Sequence, residues 1–338
     1  MPARALSASL RAVLVLLLAT VAAGCSGGAV SAPTGSGEAP TPSASGPTGC
    51  AAAPAPPVNQ EGWTTASSEP TVFPVIVNSS GSLTCGENRL VFTFLDLDNR
   101  PVGHPDRAAA VELFNLGRDG ATPASSGEGT FVWGIEGERG FYVATVTFAE
   151  AGIWGAEFTT SVAGGAPEKI RMTFEVSTST SVVRVGDPAR PSTTPTAASV
   201  GGELERISTD SEPDPAFYER SVDEALAAHE AFLLVFATPL FCLSAQCGPT
   251  LDVVKPLAAA FPEVRFIHVE PYELTFADGG LQPVRNADGQ FVPTQSVLDW
   301  GLLSEPWVFV VDSQGIVRGS FEGAVGEAEL RAALEAVS

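Results

Sequence analysis

Two cysteines five positions apart carry the chain's clearest chemical signal: Cys242 and Cys247, in the run Phe241-Cys242-Leu243-Ser244-Ala245-Gln246-Cys247-Gly248-Pro249-Thr250. A thiolate that attacks a disulfide needs a second thiol close by to release the mixed intermediate. Cys242 and Cys247 meet that need if the loop between them folds back far enough to bring their Cα atoms within about 7 Å. Gly248-Pro249 marks the start of a helix, with proline where a first turn tolerates it. Cys247 therefore stands at a helix N-terminus, where free N–H groups and the macrodipole favour a thiolate. The expectation is thiol chemistry at this pair. The competing reading is a structural bond that pins the loop, since most extracytoplasmic disulfides are structural.

The elements that position this pair are legible around it. Residues 231–237 form an unbroken apolar run rich in aromatic and aliphatic side chains, which predicts a central strand covered on both faces. From Thr250 the spacing becomes helical, with Leu251, Val254, Ala258 and Phe261 on one side. Upstream, Ser221 with Glu224 three residues on predicts a capped helix over 221–230. Downstream, strands are predicted at 264–269 and 307–311, with an insertion at 281–300 that includes a helix near 294–300. A returning strand at 316–321 and a closing helix at 327–337, with Leu330 and Leu334 four apart, complete an α/β plan.

The rest of the chain sets the context. Its 338 residues suffice for about two domains. With 18 Lys and Arg against 39 Asp and Glu, the formal charge of −21 argues against nucleic acid and against anionic lipid surfaces. Arg4 and Arg11 followed by the apolar stretch 12–23 read as a targeting segment. It ends in Val21-Ala22-Ala23-Gly24-Cys25, which resembles the lipobox of bacterial lipoproteins, although Ala22 stands where that family usually has leucine. The resemblance implies cleavage after residue 24, lipidation of Cys25, and a mature chain on the extracytoplasmic face of the cell membrane. Residues 25–69 are rich in Pro, Ser, Gly, Ala and Thr and read as a disordered tether, with Trp63 starting to dock on the next domain. Setting Cys25 aside, four cysteines allow three pairings, and spacing alone does not choose between them. Nearness in sequence favours Cys242 with Cys247, which leaves Cys50 with Cys85; the alternative is a free Cys50 in a disordered segment.

Residues 70–177 read as about seven short strands punctuated by Gly, Asn, Asp and Pro, the pattern of an all-β sandwich of immunoglobulin type. The stretch Ala149-Glu150-Ala151-Gly152-Ile153-Trp154, between two alternating runs, resembles a corner of YtkA-like and CopC-like extracytoplasmic β domains. Some of those handle copper. Here His104 and Met172 are the only typical imidazole or soft ligands, so a spacer or interaction module is expected. Residues 178–202 are again Pro-, Thr- and Ser-rich and read as a second linker.

Residues 203–338 resemble the thioredoxin fold. Cys247-Gly248-Pro249 matches the start of its Cys-Gly-Pro-Cys motif, Pro256 the proline within its active-site helix, and Pro306 the cis-proline that faces the active cysteine. Thr250 departs from the pattern, standing where that family has its resolving cysteine, and Cys242 is the substitute. The resemblance implies a membrane-anchored thiol–disulfide oxidoreductase acting on extracytoplasmic protein thiols or disulfides, with Cys247 as nucleophile, Cys242 as resolving thiol and no cofactor. Two other resemblances are weaker. Thr238-Pro239 before Cys-x4-Cys is similar to peroxiredoxins, with Cys242 as peroxidatic residue, but the threonine is one position too early and no activating arginine lies near Pro306. Copper handling of Sco type would pair the thiolates with His268, although that spacing is Cys-x3-Cys. Asp252 and Lys255, one turn into the helix, read as a solvated face rather than as groups that tune the thiols.

Overall fold

The computed structural model describes residues 50–56, 62–63 and 70–338. The targeting segment, Cys25 and most of the expected tether lie outside the described residues. The described chain is mostly β, with several antiparallel sheets and few helices, and all of it belongs to one compact unit.

Eight strands build the first part: β1 (Val72–Ile76), β2 (Gly86–Asp96), β3 (Arg107–Asn115), β4 (Ser125–Glu128), β5 (Thr130–Ile135), β6 (Arg139–Phe148), β7 (Gly152–Val162) and β8 (Glu168–Val176). They form two four-stranded antiparallel sheets, ordered β1-β2-β6-β5 and β4-β3-β7-β8. Period-two alternation sends Leu90, Phe92 and Phe94 of β2 and Tyr142, Ala144, Val146 and Phe148 of β6 into a shared core. Val111 and Leu113 of β3 and Trp154, Ala156 and Phe158 of β7 meet them from the other sheet. Aromatic rings join the layers, Phe92 with Phe158 at 4.8 Å and Phe148 with Trp154 at 5.0 Å between centroids. The Tyr142 hydroxyl donates to the His104 carbonyl at 2.9 Å, and burial pushes its pKa up. β4 is an eighth strand beyond the seven or so expected; its sequence, Ser-Ser-Gly-Glu, is polar and carries no alternation to read.

The outer face of the first sheet is also covered. Val91, Val132, Phe141 and Val143 pack with Ala324 from the far end of the chain. Arg89 of β2 crosses the same seam. It makes two bonds to the Glu329 carboxylate, at 2.8 and 2.9 Å, and donates to the carbonyls of Glu322 and Ala324 at 3.0 and 2.6 Å.

Two segments expected to be loose are held. Cys50 is bonded to Cys85 with Cα atoms 5.5 Å apart, and Ala53 and Ala51 share backbone hydrogen bonds with Ala151. Trp63 is buried, its ring over Gly155, where a Cβ would overlap it, and its indole N–H donates to the Gly120 carbonyl at 3.2 Å. Residues 182–189, within the stretch read as a second linker, run along the later part of the chain. Val183 N–H donates to the Trp300 carbonyl and Ala189 N–H to the Gly315 carbonyl, while Val182, Val183 and Ala189 are buried. Three apolar anchors inside a polar, proline-rich stretch account for the docking.

The second part holds α1 (Val222–Ala227), β9 (Phe232–Phe236), α2 (Cys247–Ala260), β10 (Arg265–Val269), β11 (Leu274–Ala277), β12 (Gly280–Pro283), α3 (Gln295–Trp300), β13 (Trp307–Val311), β14 (Val317–Glu322) and α4 (Glu327–Glu335). Its main sheet is ordered β10-β9-β13-β14, with β9 and β10 parallel and the remaining pairs antiparallel. β9 is central and buried on both faces, as its apolar run requires. One face packs on α2 and α4 through Leu251, Val254, Leu257, Leu330 and Leu334. The other packs on Val222 of α1, Val297 and Trp300 of α3, and the docked 182–189 segment. Ser221 caps α1 in the expected box with Glu224. The insertion after β10 contains a hairpin, β11–β12, turning at Asp278-Gly279 with both residues at positive φ. That dipeptide is the strong two-residue hairpin signal and stands plainly in the sequence. Among the described residues no helix is long and apolar enough to cross a membrane.

Candidate functional site

β9 delivers the chain to a loop, 237–246, which ends where α2 starts. The loop folds back on itself, and Cys242 and Cys247 are joined, their Cα atoms 6.0 Å apart. The separation lies within the range a disulfide spans. Cys247 is the first residue of α2 and is fully buried, part of the core between sheet and helices. Cys242 is only partly buried and packs on the edge of that core. Leu240 and Leu243 beside it are 68% and 77% exposed, so the Cys242 end of the bond lies on an open apolar rim.

A backbone donor and a hydroxyl lie close to Cys242 rather than to Cys247. The backbone N–H of Cys247, at the positive end of α2, points at Cys242 Sγ at 3.2 Å. Ser244 Oγ lies 3.4 Å from the same sulfur and donates to the Glu305 carbonyl at 3.1 Å. Ala245 reaches a left-handed φ of 62°, a conformation costly for a residue with a Cβ and often found where the surroundings over-determine a functional loop.

The loop is pinned from three sides. From the segment before β13, the Glu305 carboxylate accepts the Leu243 N–H at 3.0 Å and the Tyr272 hydroxyl at 2.6 Å. Glu305 is buried, and the peptide bond joining it to the buried Pro306 is cis. Burial and then the Glu305 carboxylate push the Tyr272 hydroxyl well above its ordinary pKa, keeping it a donor. From the insertion, Phe291 packs on Tyr272 at 4.9 Å and on Phe241 of the loop at 6.2 Å. From the first part of the molecule, the Arg139 guanidinium donates to the Ser244 carbonyl at 3.0 Å.

Beneath the loop lies a polar network. Leu240 N–H donates to Thr209 Oγ1 at 3.3 Å, and Thr209 donates to Glu270 through both its N–H and its hydroxyl. Glu270 is buried and its second carboxylate oxygen has no hydrogen-bond partner. Thr238, the residue the peroxiredoxin resemblance singled out, is fully buried with its hydroxyl 3.5 Å from that of Thr209.

His268 is committed elsewhere. Its Nε2 is 2.8 Å from the Ala237 carbonyl, which can only accept, so Nε2 carries the proton. Nδ1 lies 2.6 Å from the Tyr218 hydroxyl. With both nitrogens occupied and the ring buried, His268 is a structural residue and not an available ligand beside the cysteines. Among the described residues no cluster of three or more His, Cys, Asp or Glu side chains could hold a metal ion. In the first part, His104 is exposed and turned toward Asp106, whereas Met172 packs on the core between the two sheets.

The structure thus brings Cys242, Cys247 and the segment of Pro306 together. Thr250 is buried in the first turn of α2, its N–H bonded to the Gln246 carbonyl. Asp252 is exposed, and Lys255 pairs with Asp210 and donates to the Glu212 carbonyl at 3.0 Å, so neither turns toward the thiols. Sequence reasoning missed Ser244, Glu305, Tyr272 and Arg139. Ser244 lies between the cysteines and Glu305 directly precedes Pro306, so both were within reach of a closer reading. Arg139 is 105 residues from Ser244 and no local signal marks it. No protein-family model matches the chain, and no match is found among curated proteins or among solved structures.

Proposed function

We propose that the protein is an extracytoplasmic thiol–disulfide oxidoreductase, lipid-anchored to the membrane through Cys25, in which the Cys242–Cys247 pair exchanges with thiols or disulfides of partner proteins. On this reading residues 203–338 are a thioredoxin-like domain and residues 70–177 an immunoglobulin-like sandwich. The order of elements supports it: a buried strand, a cysteine loop, a helix from Cys247 that contains Pro256, and Pro306 just before β13. The observation that carries the reading is the environment of the bond. Cys242 is only partly buried, a helix N-terminal N–H points at its sulfur, and the Ser244 hydroxyl lies 3.4 Å from it. Such donors favour a thiolate and so favour exchange. The test is reduction of a model disulfide by the reduced wild type and by Cys247→Ser. The wild type should complete the reaction and release product, and equal activity in the two would sink the idea.

One observation favours a second reading, a purely structural bond: Cys247 is enclosed in the core. In that case the reduction potential lies below about −300 mV, as in structural disulfides that resist the glutathione pool.

A further inference from the structure

We propose that Cys242, not Cys247, is the sulfur through which the pair exchanges with its partner, and that Ser244 is a positioning residue for its thiolate. The proposal rests on the thiol–disulfide reading above and assigns the roles within it. It reverses the order that the thioredoxin resemblance implies for Cys247.

Two independent features carry it. The first is access. An incoming sulfur must approach along the axis of the bond it breaks, and Cys247 is fully buried among Leu233, Leu251 and Val308 while Cys242 is partly exposed. The second is charge. The helix N-terminus acts on whatever sulfur its N–H groups face, and the Cys247 N–H faces Cys242 Sγ at 3.2 Å, not its own side chain. Ser244 Oγ, 3.4 Å from that sulfur, has a single proton, which it gives to the Glu305 carbonyl. When Cys242 becomes a thiolate, the hydroxyl can rotate its proton to the sulfur, the stronger acceptor, because hydrogen bonds to ions exceed those to neutral carbonyls. The two oxygens of the buried Glu305 carboxylate accept from Leu243 N–H and the Tyr272 hydroxyl.

The sequence of steps balances. The Cys242 thiolate attacks a partner disulfide, forming a Cys242–partner bond and breaking the partner's own S–S bond. The departing thiolate takes a proton from solvent. Cys247 then attacks Cys242 Sγ, its proton passing to the second partner sulfur, which leaves as a thiol. The partner gains two electrons and the Cys242/Cys247 dithiol loses two. Further turnovers require an extracytoplasmic dithiol as reductant; a single turnover requires only the pre-reduced protein.

The experiment uses oxidised glutathione as the probe on the full chain. Reduced Cys247→Ser, which retains Cys242, should form a glutathione adduct at least about tenfold faster than Cys242→Ser at neutral pH, reflecting access and thiolate character. As a control for imperfect folding of either variant, the wild type is also reduced and alkylated to partial extent. Mass mapping should place most of the label on Cys242. Ser244→Ala should move the midpoint of the Cys242 alkylation–pH curve upward by about half a pH unit, and Ser244→Thr should restore it, an effect that loop packing alone would not produce. Faster or equal reaction at Cys247, with normal exchange by the wild type, overturns the assignment and leaves the oxidoreductase reading standing. No exchange by the wild type overturns both.

Discussion

The two disulfides close loops of very different length in different surroundings. Cys50–Cys85 joins residues 35 apart in sequence, and Cys242–Cys247 residues only 5 apart. Loop-closure entropy scales with the logarithm of loop length, so the first should stabilise the fold by about 4 kcal/mol and the second by about 2 kcal/mol. Their surroundings differ in the other direction. Beside Cys50–Cys85 the chain makes ordinary backbone pairs, Ala51 and Ala53 with Ala151, and Cys50 Sγ approaches the Ala51 carbonyl only at 4.0 Å. Around Cys242–Cys247 a helix-terminal N–H, a hydroxyl, a buried carboxylate and a guanidinium from another part of the molecule hold the loop in a costly shape. A bond that closes a long loop needs no special environment to be useful. A bond that closes a short loop stabilises little, so the groups arranged around it have to be explained by something else.

The largest test of this contrast is removal of each bond in turn. Cys50→Ala with Cys85→Ala should cost about 4 kcal/mol in urea unfolding, roughly twice the cost of Cys242→Ala with Cys247→Ala. Equal losses would break the comparison. Next comes the seam between the two parts. Arg89 is largely buried and makes four hydrogen bonds across it, so Arg89→Ala should cost about 2–3 kcal/mol, because Glu329 loses its cation and two carbonyls lose a donor. The same variant should leave the glutathione exchange rate of Cys242 nearly unchanged; a large drop would mean that the seam, not the loop, sets the thiol.

The first two sheets were the most legible region because every strand but β4 declares itself locally. Alternation in Tyr142-Val143-Ala144-Thr145-Val146-Thr147-Phe148 and turn residues at Asp98-Asn99 suffice to place strands, and the buried run at β9 does the same for the second part. What local pattern could not supply was the identity of neighbours. Residues 178–202 read as a linker by composition, yet Val182, Val183 and Ala189 join α1 and α3 in covering one face of the β10-β9-β13-β14 sheet. The cysteine pair and Pro306 were visible as residues, but their relation was not. Whether Cys242 or Cys247 faces the helix N-terminal donor depends on how the loop folds back, and that is set by Glu305, Tyr272 and Arg139. Tyr272 is 33 residues from Glu305 and Arg139 is 105 from Ser244, distances at which no periodicity or motif carries information.

The smallest effect sharpens the comparison in another way, since each part also carries one ion-paired buried carboxylate. Burial pushes the Glu157 carboxyl up, but hydrogen bonds from Lys169 and Arg171, each 2.6 Å, outweigh it and hold the group below its ordinary value of 4.5. Asp312 is likewise raised by burial and then lowered further by the Ile316 N–H at 2.9 Å, by Arg318 at 2.6 Å and by the Gln314 N–H. A carboxyl whose folded pKa lies below its unfolded one adds stability that is complete above the unfolded value and is lost as pH falls through the folded one. Unfolding monitored below about pH 4.5 should therefore show stability declining with acid. Glu157→Gln and Asp312→Asn should each flatten that decline, and an unchanged slope in either would show that its ion pair contributes nothing.

The central claim is that Cys242–Cys247 is an exchanging bond and Cys50–Cys85 a structural one, and the reduction potentials of the two pairs test it most directly. Equilibration with glutathione or dithiothreitol buffers, read by mass mapping, should place Cys242–Cys247 between about −270 and −120 mV, the range of thiol–disulfide oxidoreductases, and Cys50–Cys85 below about −300 mV. A value below about −300 mV for both pairs would contradict the account and leave Cys242–Cys247 as a staple for its loop.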